Sequence, residues 1–185
     1  MDISTPSVMT SDTGEDQIQK WTFSTPTAHD GDDVFTLIAN SPPLDTNSSY
    51  CNFLQTTHFS NTCVIAKDDG GEIAGFISGY PKPNQPNTLF IWQVAVAPQF
   101  RGKGLAFTML DNLLSRDSLN NITAIETTIT EENNASWALF NKLDARNGNN
   151  GEVSTFLDKN IHFKGKHDTE LLYRIPLIQI KQKGL

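Results

Sequence analysis

The run Val94-Ala95-Val96-Ala97-Pro98-Gln99-Phe100-Arg101-Gly102-Lys103-Gly104-Leu105 constrains the fold more than any other part of the chain. An apolar, β-branched stretch ends at a proline, a short loop carries two glycines, and a helical pattern begins at once. Leu105, Met109 and Leu113, and beside them Ala106, Leu110 and Leu114, recur at four-residue spacing. The loop suits a diphosphate. Successive backbone N–H groups at a helix N-terminus form an anion-binding concavity at the positive end of the helix dipole. Glycines let the backbone approach a ligand without a Cβ clash, and Arg101 and Lys103 add positive charge. Two other phosphate-binding loops are excluded. The Gly-x4-Gly-Lys-Ser/Thr pattern is absent, and Gly-x-Gly-x-x-Gly fails at position 107, which is Phe.

The rest of the chain reads outward from this segment. Thr88 to Ala97 is nearly all apolar, as in a central strand buried on both faces, and Gly102 to Leu114 is helical. Upstream, Trp21-Thr22-Phe23 reads as a short strand, and Asp30 as the N-cap of a helix with Val34, Phe35, Leu37 and Ile38 on its apolar face. Ser41 to Tyr50 is a turn leading into a second helix. Strands Thr62 to Lys67 and Glu72 to Tyr80 flank Asp68-Asp69-Gly70-Gly71, a hairpin signature. Pro81 to Asn87, with three prolines, reads as a loop. Downstream come a strand (Ile122 to Thr130), a helix (Asn134 to Arg146) and two weaker strands near Val153–Leu157 and Glu170–Ile175. The expected order is β-α-α-β-β-β-α-β-α-β-β.

The 185 residues suffice for one domain with a sizeable core. Residues 1–20, rich in Ser, Thr, Asp and Gln, are expected to be a disordered tail, 21–176 the folded domain and 177–185 a short tail. A net charge of −7 argues against nucleic acid or an anionic membrane as the main partner. Two cysteines, Cys51 and Cys63, build no disulfide framework, and no apolar run reaches the length of a membrane span. The expected location is the cytoplasm. His162 and His167 lack the Cys, Asp or Glu companions at ligand spacing that a metal site needs.

Gln99, Arg101, Gly102 and Gly104 stand as in the Gln/Arg-x-x-Gly-x-Gly/Ala signature, and the chain resembles the GNAT superfamily of acyl-CoA N-acyltransferases. The resemblance implies a single mixed, mostly antiparallel sheet flanked by helices, with a splayed central strand, and acetyl-CoA as co-substrate with no metal. It places the diphosphate on Gln99, Arg101, Gly102, Lys103 and Gly104. It gives backbone N–H groups at Val94 and Val96 to the pantetheine amides and the thioester oxygen. Asn133 matches the family residue that hydrogen-bonds the pantetheine arm; it is equally a helix N-cap, and the two roles are compatible. Phe140 stands where many members carry a Tyr whose hydroxyl can protonate the departing thiolate. Phe cannot donate a proton, so that proton must come from water, another residue or the substrate.

Four further segments, Pro42 to Asn52, Gly75 to Tyr80, Leu89 to Val96 and Asn133 to Phe140, with His167-Asp168 and Glu170, resemble the diaminobutyrate acetyltransferase subfamily over about residues 21–175. Such enzymes acetylate the 4-amino group of L-2,4-diaminobutyrate, which feeds synthesis of the osmoprotectant ectoine. The resemblance implies an acceptor site of Asp45, Tyr50, Cys51, Trp92, His167 and Glu170, with Asp45, Trp92 and Glu170 nearest the chemistry, and a homodimer. By residue type alone Asp45 could instead cap a helix, and Trp92 could be core. Direct attack by a neutral amine is expected. Neutralising an alkylammonium at pH ~7.5 costs roughly 4 kcal/mol, and carboxylates that grip the reacting ammonium would add to that. Cys51 as an acyl carrier, another small amine as acceptor, and a catalytically silent acetyl-CoA-binding module are the alternatives.

Overall fold

The computed structural model describes residues 21–42 and 44–178. The tail expected over 1–20, and most of that expected over 177–185, lie outside the described residues. The order of elements is β1 (Thr22–Ser24), α1 (Gly31–Ala39), α2 (Ser49–Thr57), β2 (Val64–Lys67), β3 (Ile73–Lys82), β4 (Gln85–Val96), α3 (Leu105–Leu114), β5 (Ala124–Thr130), α4 (Asn134–Arg146), β6 (Glu152–Leu157) and β7 (Glu170–Pro176), with short 3-10 turns between some of them. This is the order the sequence implies.

The strands form one seven-stranded sheet in the order β1-β2-β3-β4-β5-β7-β6. Neighbours are antiparallel except β4 and β5, which run parallel across the α3 crossover. The parallel pairing covers only Thr88↔Ala124 to Ile91↔Thr127. Beyond it β4 continues to Val96 and β5 to Thr130 without pairing to each other, so the sheet splays there.

Helices cover the sheet because their apolar stripes match it. In α3, Leu105, Met109, Leu110 and Leu113 are buried. A Cβ on Gly75 of β3 would lie 2.6 Å from the Met109 Cε, so α3 rests directly on the strand backbone. Val34, Leu37 and Ile38 of α1 join the same core cluster as Ile65, Phe76 and Ile125. Burying each such Leu, Ile or Val contributes about 1.5–3 kcal/mol. Asp30 begins α1, but its carboxylate does not cap it. It accepts from the Thr27 N–H (2.8 Å) and hydroxyl (2.9 Å) and pairs with Lys67 at 2.8 Å.

Three sequence expectations need correction. The expected loop over Pro81 to Asn87 is instead the end of a long hairpin, turned at residues 83–84. Register jumps from Pro81↔Leu89 to Lys82↔Gln85, and proline is tolerated where the ladder is interrupted. α3 begins at Leu105 and not at Gly102, because Gly102 (φ 74°) and Gly104 (φ 78°) are left-handed. β4 is not buried on both faces: Ile91 and Ala95 are, whereas Trp92 is exposed and Phe90, Val94 and Val96 are half-buried.

Candidate active site

A cleft of about 420 Å³ opens where the sheet splays. Val94 and Val96 of β4 form one wall, Phe100 to Phe107 the loop and start of α3 another, and Asn133 to Lys142 of α4 a third, with Ser41, Pro42 and Leu44 closing it from the α1–α2 connection. At its α3 end, Gly102 and Gly104 turn the backbone into a left-handed loop, and a Cβ at either would meet nothing within 4 Å. Their absent side chains leave an open concavity over the first turn of α3, whose N–H groups have no intrahelical acceptor. Arg101 Nε donates to the Val96 carbonyl at 3.1 Å, which ties the loop to β4. Lys103 is exposed, with Nζ 5.5 Å from the Phe100 ring centroid. Gln99 is exposed and lies outside the cleft lining. Asn133 lines the cleft and caps α4, its Oδ1 accepting from the Ser136 N–H at 3.1 Å. Phe140 is buried in the core and does not line the cleft.

A bulge builds the second half of the site. Ser78 pairs with Gln93 and Gly79 with Ile91, so Trp92 opposes no β3 residue. Such an insertion re-aims the strand's side chains. Gln93 shares a face with its partner Ser78, and Ser78 shares a face with Tyr80 two residues on. The Tyr80 ring meets Trp92 edge-on at 6.2 Å. Trp92 and Gln93, adjacent in sequence, therefore point to the same side. Tyr80 also packs against Phe90 (5.4 Å) and Phe59 (6.2 Å), which completes an aromatic floor. Gln93 reaches up to the α1–α2 connection: its Nε2 donates to the Asp45 carbonyl at 2.9 Å, and its Oε1 accepts from Asn47 at 3.0 Å.

Asp45, so anchored, faces residues from the far end of the chain. His167 Nε2 stands 3.4 Å from Asp45 Oδ2 and 3.9 Å from Glu170 Oε1. The opposite ring nitrogen, Nδ1, donates to the Asp168 carbonyl at 2.8 Å. That hydrogen bond raises the His167 pKa above its usual value; partial desolvation opposes it, and the carboxylates of Asp45 and Glu170 add to it. Asp45 is 84% exposed and Glu170 19%, so the two carboxylates differ sharply in access to water. Tyr50, at the start of α2, is exposed, and the next residue, Cys51, is half-buried. Desolvation raises the Cys51 thiol pKa, which works against a thiolate nucleophile. Among the described residues no group of three His, Cys, Asp or Glu side chains is placed to hold a metal ion, and no helix is long and apolar enough to cross a membrane.

The structure thus brings together Asp45, His167 and Glu170, with Gln93, next to Trp92 in sequence, holding the Asp45 carbonyl, and separately Val94, Val96, Arg101, Gly102, Gly104 and Asn133. The sequence reading missed Gln93, Asn47, Tyr80, Ser41 and Leu44. Gln93 carried a signal: it is the one polar residue within Leu89 to Ala97.

Known proteins agree with this architecture. The sequence profile of the acetyltransferase (GNAT) family matches residues 21–145. The L-2,4-diaminobutyric acid acetyltransferase of Vibrio parahaemolyticus is 63% identical over 174 residues, covering 94% of this chain and 96% of its own. That of Vibrio cholerae is 58% identical over 157 residues, covering 85% and 90%. A diaminobutyrate acetyltransferase from Paenibacillus lautus, solved with L-2,4-diaminobutyric acid and coenzyme A, superposes with a TM-score of 0.81 at 36% identity, covering 85% of this chain and 95% of that one. The splayed sheet, the glycine loop opening α3 and the profile match agree, and the chain belongs to the GNAT acetyltransferase family.

Proposed function

We propose that this chain transfers an acetyl group from acetyl-CoA to the 4-amino group of L-2,4-diaminobutyrate, a step in ectoine biosynthesis. The observation that carries the reading is the convergence of Asp45, His167 and Glu170, with the Asp45 carbonyl held by Gln93 of the splayed strand and Leu44 beside it lining the cleft. A diamino acid brings two cations, and here two carboxylates from distant parts of the chain face one small space. The relatives' acceptor, at up to 63% identity over nearly the whole chain, is the same diamino acid.

The cleft fits acetyl-CoA on its own features. The left-handed glycine loop with the unsatisfied N–H groups of α3 receives the diphosphate, with Arg101 and Lys103 supplying charge and Gln99 flanking the loop. The unpaired edge of β4 at Val94 and Val96 offers backbone groups to the pantetheine amides and the thioester oxygen, as a preorganised oxyanion site. Asn133 reaches the pantetheine arm, and Phe140 supports α4 from the core.

Asp45 and Glu170 hold the ammonium that does not react, with Tyr50, Cys51 and Trp92 walling the acceptor. This leaves the second amine to enter neutral. Its nitrogen attacks the thioester carbon, the C–N bond forms, and the C–S bond breaks as the tetrahedral oxyanion collapses. The nitrogen's surplus proton goes to water at the open mouth, and the thiolate takes one up as coenzyme A departs. The raised thiol pKa of Cys51 favours this direct transfer over an acyl-cysteine. The chain works in the cytoplasm, a reading supported by its two unpaired cysteines. It works as a homodimer, supported by the exposed edge strand β6 with Val153 and Phe156 on it.

The test is thiol release from acetyl-CoA with L-2,4-diaminobutyrate beside ornithine, lysine and spermidine, with the acetylated position read by NMR. Release with diaminobutyrate, at the 4-amino group, is expected. Preferential release with another amine would replace the acceptor, and binding of acetyl-CoA without release for any amine would replace the enzyme with a silent module. In Asp45→Ala, loss of a charge-assisted contact is expected to raise KM for the amine about tenfold or more, with KM for acetyl-CoA unchanged.

A further inference from the structure

Five buried side-chain atoms among the described residues lack a hydrogen-bond partner: Trp21 Nε1, Ser41 Oγ, Asn52 Oδ1, Gln55 Nε2 and Ser78 Oγ. Of these residues only Ser41 lines the cleft. It is 1% exposed. A serine just past a helix end ordinarily returns its hydroxyl to a carbonyl of the preceding turn. Ser115 does so at the end of α3, donating to the Asn112 carbonyl at 2.8 Å. Ser41, past the end of α1, makes no such bond. Its backbone is nevertheless fixed, since its N–H donates to the Ile38 carbonyl (3.0 Å) and its carbonyl accepts from the Leu44 N–H (3.1 Å). A hydroxyl held still, dry and unpaired destabilises the free protein by the desolvation it has suffered.

A ligand filling the cleft would supply the missing partner. Two of its other polar side chains are already engaged, Arg101 with the Val96 carbonyl and Asn133 with the Ser136 N–H. The turn closed by the Leu44 N–H keeps Ser41 within one turn's width of Leu44, the residue before Asp45, and so ties this wall of the cleft to the acceptor side. Resting on the reading that this cleft takes acetyl-CoA, we infer that Ser41 donates a hydrogen bond to a carbonyl oxygen in the thioester-proximal half of the acyl-pantetheine arm. It is thereby a binding residue for the acetyl donor, preorganised at the expense of the empty protein.

The experiment is isothermal titration of wild type and Ser41→Ala with acetyl-CoA and, separately, with adenosine 3′,5′-diphosphate, which lacks the arm, beside thermal denaturation of each protein alone. Ser41→Ala is expected to bind acetyl-CoA about three- to tenfold more weakly. It should bind the adenosine diphosphate as wild type does, and its own unfolding midpoint should be unchanged or higher. KM for acetyl-CoA should rise in parallel while KM for the amine stays. Ser41→Cys, which keeps the side chain's shape with a slightly larger atom and weakens the donor, should show the same selective loss. Equal affinity of wild type and Ser41→Ala for acetyl-CoA overturns the inference, as does an equal loss toward the adenosine diphosphate. Failure of wild type to bind acetyl-CoA at all overturns the reading of the cleft instead, and this inference with it.

Discussion

His167 stands between two carboxylates, its near neighbour Glu170 and the sequence-distant Asp45, and its protonation state decides what both face. Its pKa lies above the usual histidine value. The bridge to the carboxylates therefore contributes stability that is fully present below the unfolded-state pKa and is lost as pH rises through the higher folded value. In the proposed acceptor site the same imidazolium would compete with a cationic substrate for both carboxylates. KM for diaminobutyrate is expected to fall as pH rises through the His167 pKa, and His167→Asn should lack that inflection while retaining the separate one from deprotonation of the reacting amine. Identical KM–pH profiles in the two proteins would remove His167 from the acceptor site. Phe140 offers a second residue-scale test. Because its ring is buried and outside the cleft lining, Phe140→Tyr places a hydroxyl in the core at a cost of about 1–3 kcal/mol. A lower urea midpoint with unchanged kcat is expected, and a raised kcat would show that the ring reaches the departing sulfur after all.

At the scale of elements, two local distortions make the site: the left-handed loop before α3 and the bulge in β4. Gly104→Ala would keep its surroundings, since nothing lies within 4 Å of the added Cβ, but would hold a non-glycine residue at φ 78°. The expected loss is about 1–2 kcal/mol of stability, seen as a lower denaturation midpoint, with a rise in KM for acetyl-CoA and none for the amine. The loop was legible in sequence, because paired glycines between a strand and a helix announce it. The bulge was not. Nothing in Leu89-Phe90-Ile91-Trp92-Gln93-Val94 marks an unpaired residue, since register is fixed between strands and β3 supplies the other half of the ladder. Another such arrangement is the row Phe90, Glu126 and Arg174 on paired strands. There Glu126, 4% exposed, pairs with both Lys82 and Arg174. Burial works against its ionised form, but the two cations outweigh that and lower its pKa. Its contribution is present above the unfolded carboxylate pKa and lost as pH falls through the lower folded value.

On the scale of the whole molecule the sheet ends unevenly. β1 is three residues long, a short edge that offers little to pair with. β6 at the other edge is six residues, exposed along nearly all its length. Val153 and Phe156 on it are each 50% exposed, and Ile161 just beyond is 77% exposed. If this edge closes the proposed homodimer, Phe156→Glu is expected to shift the molar mass measured by light scattering from dimer to monomer. A dimer that survives both Phe156→Glu and Val153→Glu would place the interface elsewhere.

Resemblance to the diaminobutyrate acetyltransferases singled out Asp45 and Glu170, whereas the sequence by itself determined the order of eleven elements and the two-glycine loop before α3. Each rests on patterns local to a few residues: apolar periodicity, turn glycines, capping residues and short motifs. Only the tertiary structure decided that Asp45 and Glu170 meet across His167, that Gln93 holds the Asp45 carbonyl, that Phe140 faces the core, and that Ser41, a residue of the cleft lining, carries a buried hydroxyl without a partner. Those facts depend on contacts between residues as many as 122 positions apart, as from Asp45 to His167. Strand register, the splay between β4 and β5 and the fold-back of the last strands bring such residues together, and no short window of the chain contains that information.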